Sequence, residues 1–241
     1  MLTLGLDTTA GTACAAILSD DKLLCEYTMH SGNTHSTTLL PMIENMLALL
    51  GKKTFDIDLY ACAAGPGSFT GVRIGAATVK GMAYPYNTPC VPVSTLEALA
   101  YNLVGYGGGL LCPVMNARRQ QVYTALFSSD GVHLQRLCAD CAMAVEDLAS
   151  LLKDTGEPVY FVGDGYDLVT HLTDRVTPER LRYPSAVSVA LCGYRIYANA
   201  ENKAAYAPEA LLPVYLRKPQ AQREREARLE QEKRENERNV L

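Results

Sequence analysis

The sequence predicts an α/β fold of two similar lobes, each a mixed sheet with helices packed on it. Three observations lead there. The order strand, strand, strand, helix, strand, helix runs once over residues 1–106 and again over 107–218. A run of glycines, Gly107 to Gly109, punctuates the chain between the two copies. With 241 residues and 48% hydrophobic content, there is enough apolar material to bury a core in each.

In the first copy, residues 1–7, 12–18 and 22–28 read as a meander of strands, with turns at Thr8-Thr9-Ala10-Gly11 and Asp20-Asp21. Residues 36–50 carry Leu39, Ile43, Met46 and Leu50 at helical spacing, widened by Leu40 and Leu47 and closed by Gly51. Pro41 has to sit in the first turn of that helix or kink it. A strand at 59–64, a glycine turn, a small-residue helix and a strand at 90–93 follow. The capping box Ser94-Thr95-Leu96-Glu97 then opens another helix. In the second copy the strands are 110–115, 121–127, 132–137 and 159–162, with helices near 144–153, from 166 and over 185–199. Pro213 to Arg217 reads as a last edge segment. Residues 219–241 form a charged tail, helical or disordered, in which six basic and six acidic residues balance.

Residues 61–84 are the unusual stretch. Gly65-Pro66-Gly67 reverses the chain after a strand, and Ser68 or Thr70 can cap the helix that follows. Gly71, Gly75, Thr78 and Met82 lie on one helical face with little bulk, although glycine inside a helix costs about 1 kcal/mol relative to alanine. Such a face allows another backbone to pack close. A glycine turn at a helix start also favours an anion, but the stretch has neither the Gly-Lys-Ser/Thr ending of a P-loop nor Gly-x-Gly-x-x-Gly spacing.

No catalytic set assembles from the sequence. The formal net charge of −4 argues against a protein that grips nucleic acid alone. Cys138-x-x-Cys141 has no second pair with which to hold a metal, and the eight cysteines read as free thiols in a reducing cytoplasm. No leader and no run long enough to span a bilayer is evident. His30 and His35 flank a polar loop, and a metal there would need further ligands. Asp7, Thr8 and Thr9 after the first strand, and Gly163, Asp164 and Gly165 after a later one, are candidate phosphate contacts or simple tight turns.

The duplicated order resembles the actin, Hsp70 and sugar-kinase (ASKHA, ribonuclease H-like) superfamily, in which the position of Asp7 is the usual place for a catalytic or metal-linked carboxylate. More specific runs resemble the TsaB (YeaZ) family: Leu4-Gly5-Leu6-Asp7-Thr8-Thr9, His35-Ser36 before Leu39-Leu40-Pro41-Met42-Ile43, Gly65 to Gly75, Asn116-Ala117-Arg118-Arg119 with Val122-Tyr123, and Pro213 to Arg217. The resemblance covers residues 1–217 in order. It implies a cytoplasmic, non-catalytic paralogue and partner of TsaD, supporting formation of threonylcarbamoyladenosine in tRNAs that read codons beginning with A. TsaE is a further implied partner, with tRNA reached only indirectly and no membrane involved. A homodimer is implied in the absence of TsaD, with ATP or ADP, not a cofactor of its own, at the junction with TsaD. Where TsaD carries a His-x-x-x-His metal pair, this chain has Thr95 and Leu99, neither of which replaces imidazole as a ligand to a transition metal.

Two readings of function result. In the first, Leu39, Ile43, Met46, Leu50, Gly71, Gly75, Thr78 and Met82 form a docking patch for TsaD; the bland alternative buries them within the lobe. In the second, the chain is an ATP-dependent kinase or hydrolase of the same superfamily, acting through Asp7 and the turns at 8–11 and 163–165.

Overall fold

The computed structural model describes residues 1–32, 34–106, 109–153, 155–217 and 228. Gly107 and Gly108 of the glycine run and the charged tail, Arg228 apart, lie outside the described residues.

The first sheet has five strands in the order β3-β2-β1-β4-β5. Strands β1 (Leu2–Asp7), β2 (Ala13–Ser19) and β3 (Lys22–Met29) form the antiparallel meander, and β4 (Leu59–Gly65) and β5 (Cys90–Ser94) run parallel to β1. Alternation along β1 decides the layers. Leu4 and Leu6 face one side, where α1 (His35–Leu49) and α2 (Phe69–Ala83) cover them with Leu39, Ile43, Met46, Val79 and Met82. Gly5 faces the other side, where a side chain would collide with Ala186 and Ala190.

Those two alanines belong to α6 (Ala186–Ala198), from the far end of the chain. It lies on the back of the first sheet, packing Val189 and Cys192 on Leu59, Ala61, Val91 and Val93. Gly193 faces Ala61 so closely that an added Cβ has no room. The helix α3 (Thr95–Tyr101) is exchanged in the opposite sense: Leu96, Leu99 and Ala100 pack on Leu111, Met115, Phe127 and Val162 of the second sheet. The first sheet ends in sequence with β5 at Ser94 and the second begins with β6 at Gly109, and these two helices each pack on the sheet of the other part of the chain.

The second sheet, of six strands, repeats the plan around β6 (Gly109–Asn116). One flank is antiparallel, β7 (Gln121–Thr124) and β8 (Phe127–Ser129), and the other is parallel, β11 (Val159–Val162). Outermost lie β9 (Leu134–Arg136) against β8 and β10 (Cys141–Ala144) against β7. The strand expected at 121–127 is therefore broken, the one expected at 132–137 is present as the shorter β9, and β8 and β10 are additional. The break falls opposite Pro113, which has no amide to give to the ladder. Register is kept across it, since Leu111 pairs Phe127 and Val114 pairs Thr124. Thr124 Oγ1 donates to the Pro113 carbonyl (2.8 Å) and the Leu126 amide turns to Cys138 Sγ (3.1 Å). Helices α4 (Val145–Lys153) and α5 (Tyr166–Val169) cover the outer face. Two meander-plus-crossover sheets with helices between and outside them are the actin, Hsp70 and sugar-kinase architecture.

Pro41 sits well inside α1 rather than in its first turn, so the Thr37 carbonyl lacks its usual amide partner. Ser68 is the residue that caps α2, its Oγ accepting from the Gly71 amide at 3.2 Å. Ser94 caps α3 in the same way through the Glu97 amide, but Glu97 turns to Arg136 instead of closing the box.

Candidate functional site

Where the strand ends of the two sheets meet, a cleft of about 660 Å³ opens between the lobes. Its walls are Thr9 to Gly11 after β1, Pro66 to Thr70 at the start of α2, Met115 to Arg118 at the end of β6, Asp164 after β11, and Val214 to Arg217 from the C-terminal segment. The apolar pattern brings these turns together, because each follows a buried strand and strands of one direction end on one side.

Asp7 lies just behind the wall and is fully buried. Its Oδ1 accepts from the Thr9 amide and hydroxyl, both at 2.7 Å, as in the turn expected from sequence, while Oδ2 has no hydrogen-bond partner among the described residues. Burial raises its pKa to about 6, against the lowering effect of the Thr9 bonds and of nearby His35. Thr8 does not face the cleft; its hydroxyl donates to the Gly71 carbonyl at 2.7 Å. A Cβ on Gly71 would strike the Thr8 carbonyl oxygen, and one on Gly75 would lie 2.7 Å from Thr8 Oγ1. The bulk-free face of α2 is thus the seat of the turn after β1, and of the two readings of residues 61–84 the structure shows close backbone packing.

Across the cleft, Asp164 Oδ1 accepts from the Asn116 amide at 2.9 Å, and burial raises the pKa of this carboxylate too. Gly165 donates its amide to Val114. Gly163 and Gly165 pack against the end of β6, where a Cβ has no room, so they serve the turn, while Asp164 lines the cleft. His30 lies edge-on to Tyr183, and His35 Nε2 donates to the Ala10 carbonyl at 2.8 Å. Among the described residues no group of three His, Cys, Asp or Glu is placed to hold a metal ion. Thr95 and Leu99 are both buried in α3.

The eight positions nominated as a docking face need correction. Leu39, Ile43, Met46 and Met82 belong to the core of the first lobe, Gly71 and Gly75 receive Thr8, and Leu50 and Thr78 are half-buried. An apolar stripe on a helix is usually the face its own sheet covers, and here it is. The outward faces carry Leu40 and Leu49, 45% and 69% exposed, and Ala77 and Gly81.

Sequence reasoning missed the cleft's other wall. Val214 donates its amide to the Ala64 carbonyl at 2.7 Å, next to Gly65, whose φ of +116° and contact with the Val214 carbonyl exclude a side chain. Tyr215 stacks on Phe69 at 4.6 Å, and Arg217 reaches the Ala117 carbonyl (3.3 Å) and Gln121 Oε1. The segment thereby ties the start of α2 in one lobe to the β6–β7 turn in the other. The runs 116–119 and 213–217 were visible as motifs, but nothing local in them says that they meet.

A family model described as "TsaD: tRNA N6-adenosine threonylcarbamoyltransferase" matches residues 29–224. The tRNA threonylcarbamoyladenosine biosynthesis protein TsaB of Bacillus subtilis is 33% identical over 176 residues, which are 73% of this chain and 76% of that protein. The chain belongs to the TsaB (YeaZ) family. TsaB of Escherichia coli is 34% identical over 131 residues, covering 54% of this chain and 56% of that one. Among solved structures, YeaZ from Pseudomonas aeruginosa matches with a TM-score of 0.75 at 24% identity, over 89% of this chain and 99% of that one. This likeness speaks to the fold. No helix among the described residues is long and apolar enough to cross a membrane.

Proposed function

We propose that this chain is a non-catalytic subunit that pairs with TsaD, and through it with TsaE, to support formation of threonylcarbamoyladenosine in tRNA. The observation that carries the reading is membership of a family whose relatives are named for that pathway. The buried Thr95 and Leu99 support the non-catalytic part, because they occupy the places of an imidazole pair in TsaD and neither can take its role as ligand. Pairing uses exposed residues of α1 and α2, among them Leu40 and Leu49 on α1 and the small Ala77 and Gly81 on α2. Without TsaD the same faces pair two copies of this chain. ATP or ADP occupies the cleft when TsaD closes it, with Asn116 and the turn at 9–11 near the nucleotide.

Light scattering of this chain mixed with TsaD tests the reading. The expected result is a complex at micromolar concentration, lost in Leu40→Asp/Leu49→Asp without loss of fold, since a carboxylate would have to be desolvated on docking. A chain that stays monomeric and ignores TsaD would overturn it. So would transfer activity by the isolated chain.

A further inference from the structure

Arg118 and Arg217 line the cleft, Arg119 follows Arg118, and Arg73 lies against Tyr215 of the opposite wall; none of the four has a carboxylate partner among the described residues. The salt bridges among the described residues use Arg136, His133 and the N-terminal amine, never Arg73, Arg118, Arg119 or Arg217. Arg175, Arg180, Arg182 and Arg195 have no carboxylate partner among the described residues either; what marks the first four is that they gather at one cleft. We infer that this rim grips the phosphodiester backbone of RNA, here the tRNA brought to the complex with TsaD. The inference rests on the proposed function for the identity of the RNA, and adds a direct contact where the family resemblance implied an indirect one.

The geometry behind it is specific. Arg118, Arg119 and Gln120 are three successive residues with φ of 63°, 56° and 55°, a left-handed turn that side-chain-bearing residues avoid. It is held from several sides. Ala117 donates to the Gln121 carbonyl (2.9 Å) and Gln121 to the Arg118 carbonyl (3.2 Å). Val145 donates to Gln120, and the Arg118 amide donates to Asn116 Oδ1 at 2.8 Å. The two guanidinium groups are exposed, and neither has a hydrogen bond or ion pair among the described residues. Arg217 braces the same turn from below by donating to the Ala117 carbonyl and Gln121.

On the opposite lip, Arg73 lies 3.9 Å over the Phe69 ring and donates through Nε to the Tyr215 hydroxyl at 2.8 Å. Tyr215 is 40% exposed. The cleft's carboxylate, Asp164, is exposed and accepts from the Asn116 amide through Oδ1. Guanidinium groups match phosphate oxygens in a planar fork, and an exposed ring beside them offers a face on which an unpaired base stacks. An acidic protein would use the charge and leave the ring idle; RNA uses both. The acidic balance of the whole chain makes the grip a shared one, which fits a subunit.

The experiment uses this chain assembled with TsaD and measures tRNA binding by fluorescence anisotropy over a salt series. Arg118→Gln/Arg119→Gln is expected to weaken binding about ten-fold near 0.1 M salt, and to reduce the slope of log K against log salt by about 1.5, two phosphate contacts being lost. Arg118→Lys/Arg119→Lys should keep the slope, and Arg73→Gln, on the other lip and outside the strained turn, should lower it by about one. Pairing with TsaD and the thermal midpoint should not change. Unchanged tRNA affinity and slope would overturn the inference. Loss of TsaD pairing in the glutamine variant would also overturn it, placing the arginines in a protein interface, as would loss of ATP binding with tRNA affinity intact. If the wild-type chain does not pair with TsaD, the functional reading fails instead, and the same salt series on the chain alone decides the rim.

Discussion

Replacing Gly71 by alanine sets two physical effects against each other. In an isolated helix the change is favourable by about 1 kcal/mol, since glycine costs that much in a helix interior. In this protein the new methyl group runs into the Thr8 carbonyl oxygen, with Ser68 Cβ also only 3.3 Å away. Thr8 cannot withdraw without giving up the 2.7 Å hydrogen bond from its hydroxyl to the Gly71 carbonyl. Overpacking of a tight contact costs about 1–3 kcal/mol, and a lost buried hydrogen bond about 1 kcal/mol more. Against the helix gain the net is a loss of about 2 kcal/mol, or roughly 4–8 °C in thermal midpoint for a chain of this size. Gly81 is the internal control, as it lies in the same helix with nothing within 4 Å of an added Cβ, so Gly81→Ala should stabilise by up to about 1 kcal/mol. Paired thermal and urea melts measure both. If Gly71→Ala matches Gly81→Ala in sign, the close seating of the turn after β1 on α2 is refuted.

Asp7→Asn should alter the pH dependence of stability. Because burial raises the folded-state pKa of Asp7 from 3.8 to about 6, the folded chain keeps a proton that the unfolded chain releases, and stability falls as pH rises from about 4 to 6. The variant should therefore be more stable at pH 7 by about 3 kcal/mol, with the difference vanishing near pH 4; urea melts at several pH values that run parallel would contradict this. Thiol titration should separate two classes, with Cys25, Cys138 and Cys141, which are half-buried, reacting before unfolding and Cys14, Cys62, Cys90, Cys112 and Cys192 only after it. Arg217→Ala removes the link from the C-terminal segment to the β6–β7 turn and should speed limited proteolysis near residues 213–217 with little change in thermal midpoint; an unchanged cleavage rate would show that the stacked Tyr215 holds the segment unaided.

Much of the fold was legible because its signals are local. Alternation in β1, the stripe in α1 and the cap at Ser68 each depend on neighbours a few residues away, and each is present. What was illegible depends on partners far along the chain. Nothing in residues 185–199 says that this helix covers the first sheet, since an apolar helix of small residues suits either lobe. Pro113 was the one local sign that the flanking strand would break. The docking positions were misplaced for a related reason: periodicity marks the inward stripe of a helix, whereas a partner meets the residues between, such as Leu40 and Leu49, which have no pattern of their own. At the cleft, Asp7 and Asp164 were found as turn residues after strands. The arginine rim was not, because residues 73, 118, 119 and 217 come together only in the fold.

The position of α6 also bears on how the protein is made. The back of the first sheet, with Ala16, Leu18, Ala61 and Val91, is covered by residues 186–198, which leave the ribosome about ninety residues after the sheet's last strand. At ordinary synthesis rates of roughly 5–20 residues per second that is an interval of several seconds. Throughout it the nascent chain presents a sheet with one apolar face bare. A stop codon anywhere before α6 would release a chain with that face uncovered, fit for aggregation or for a chaperone. For this protein α6 completes the first lobe, and truncation from the C-terminus past residue 198 should cost soluble expression out of proportion to the residues removed.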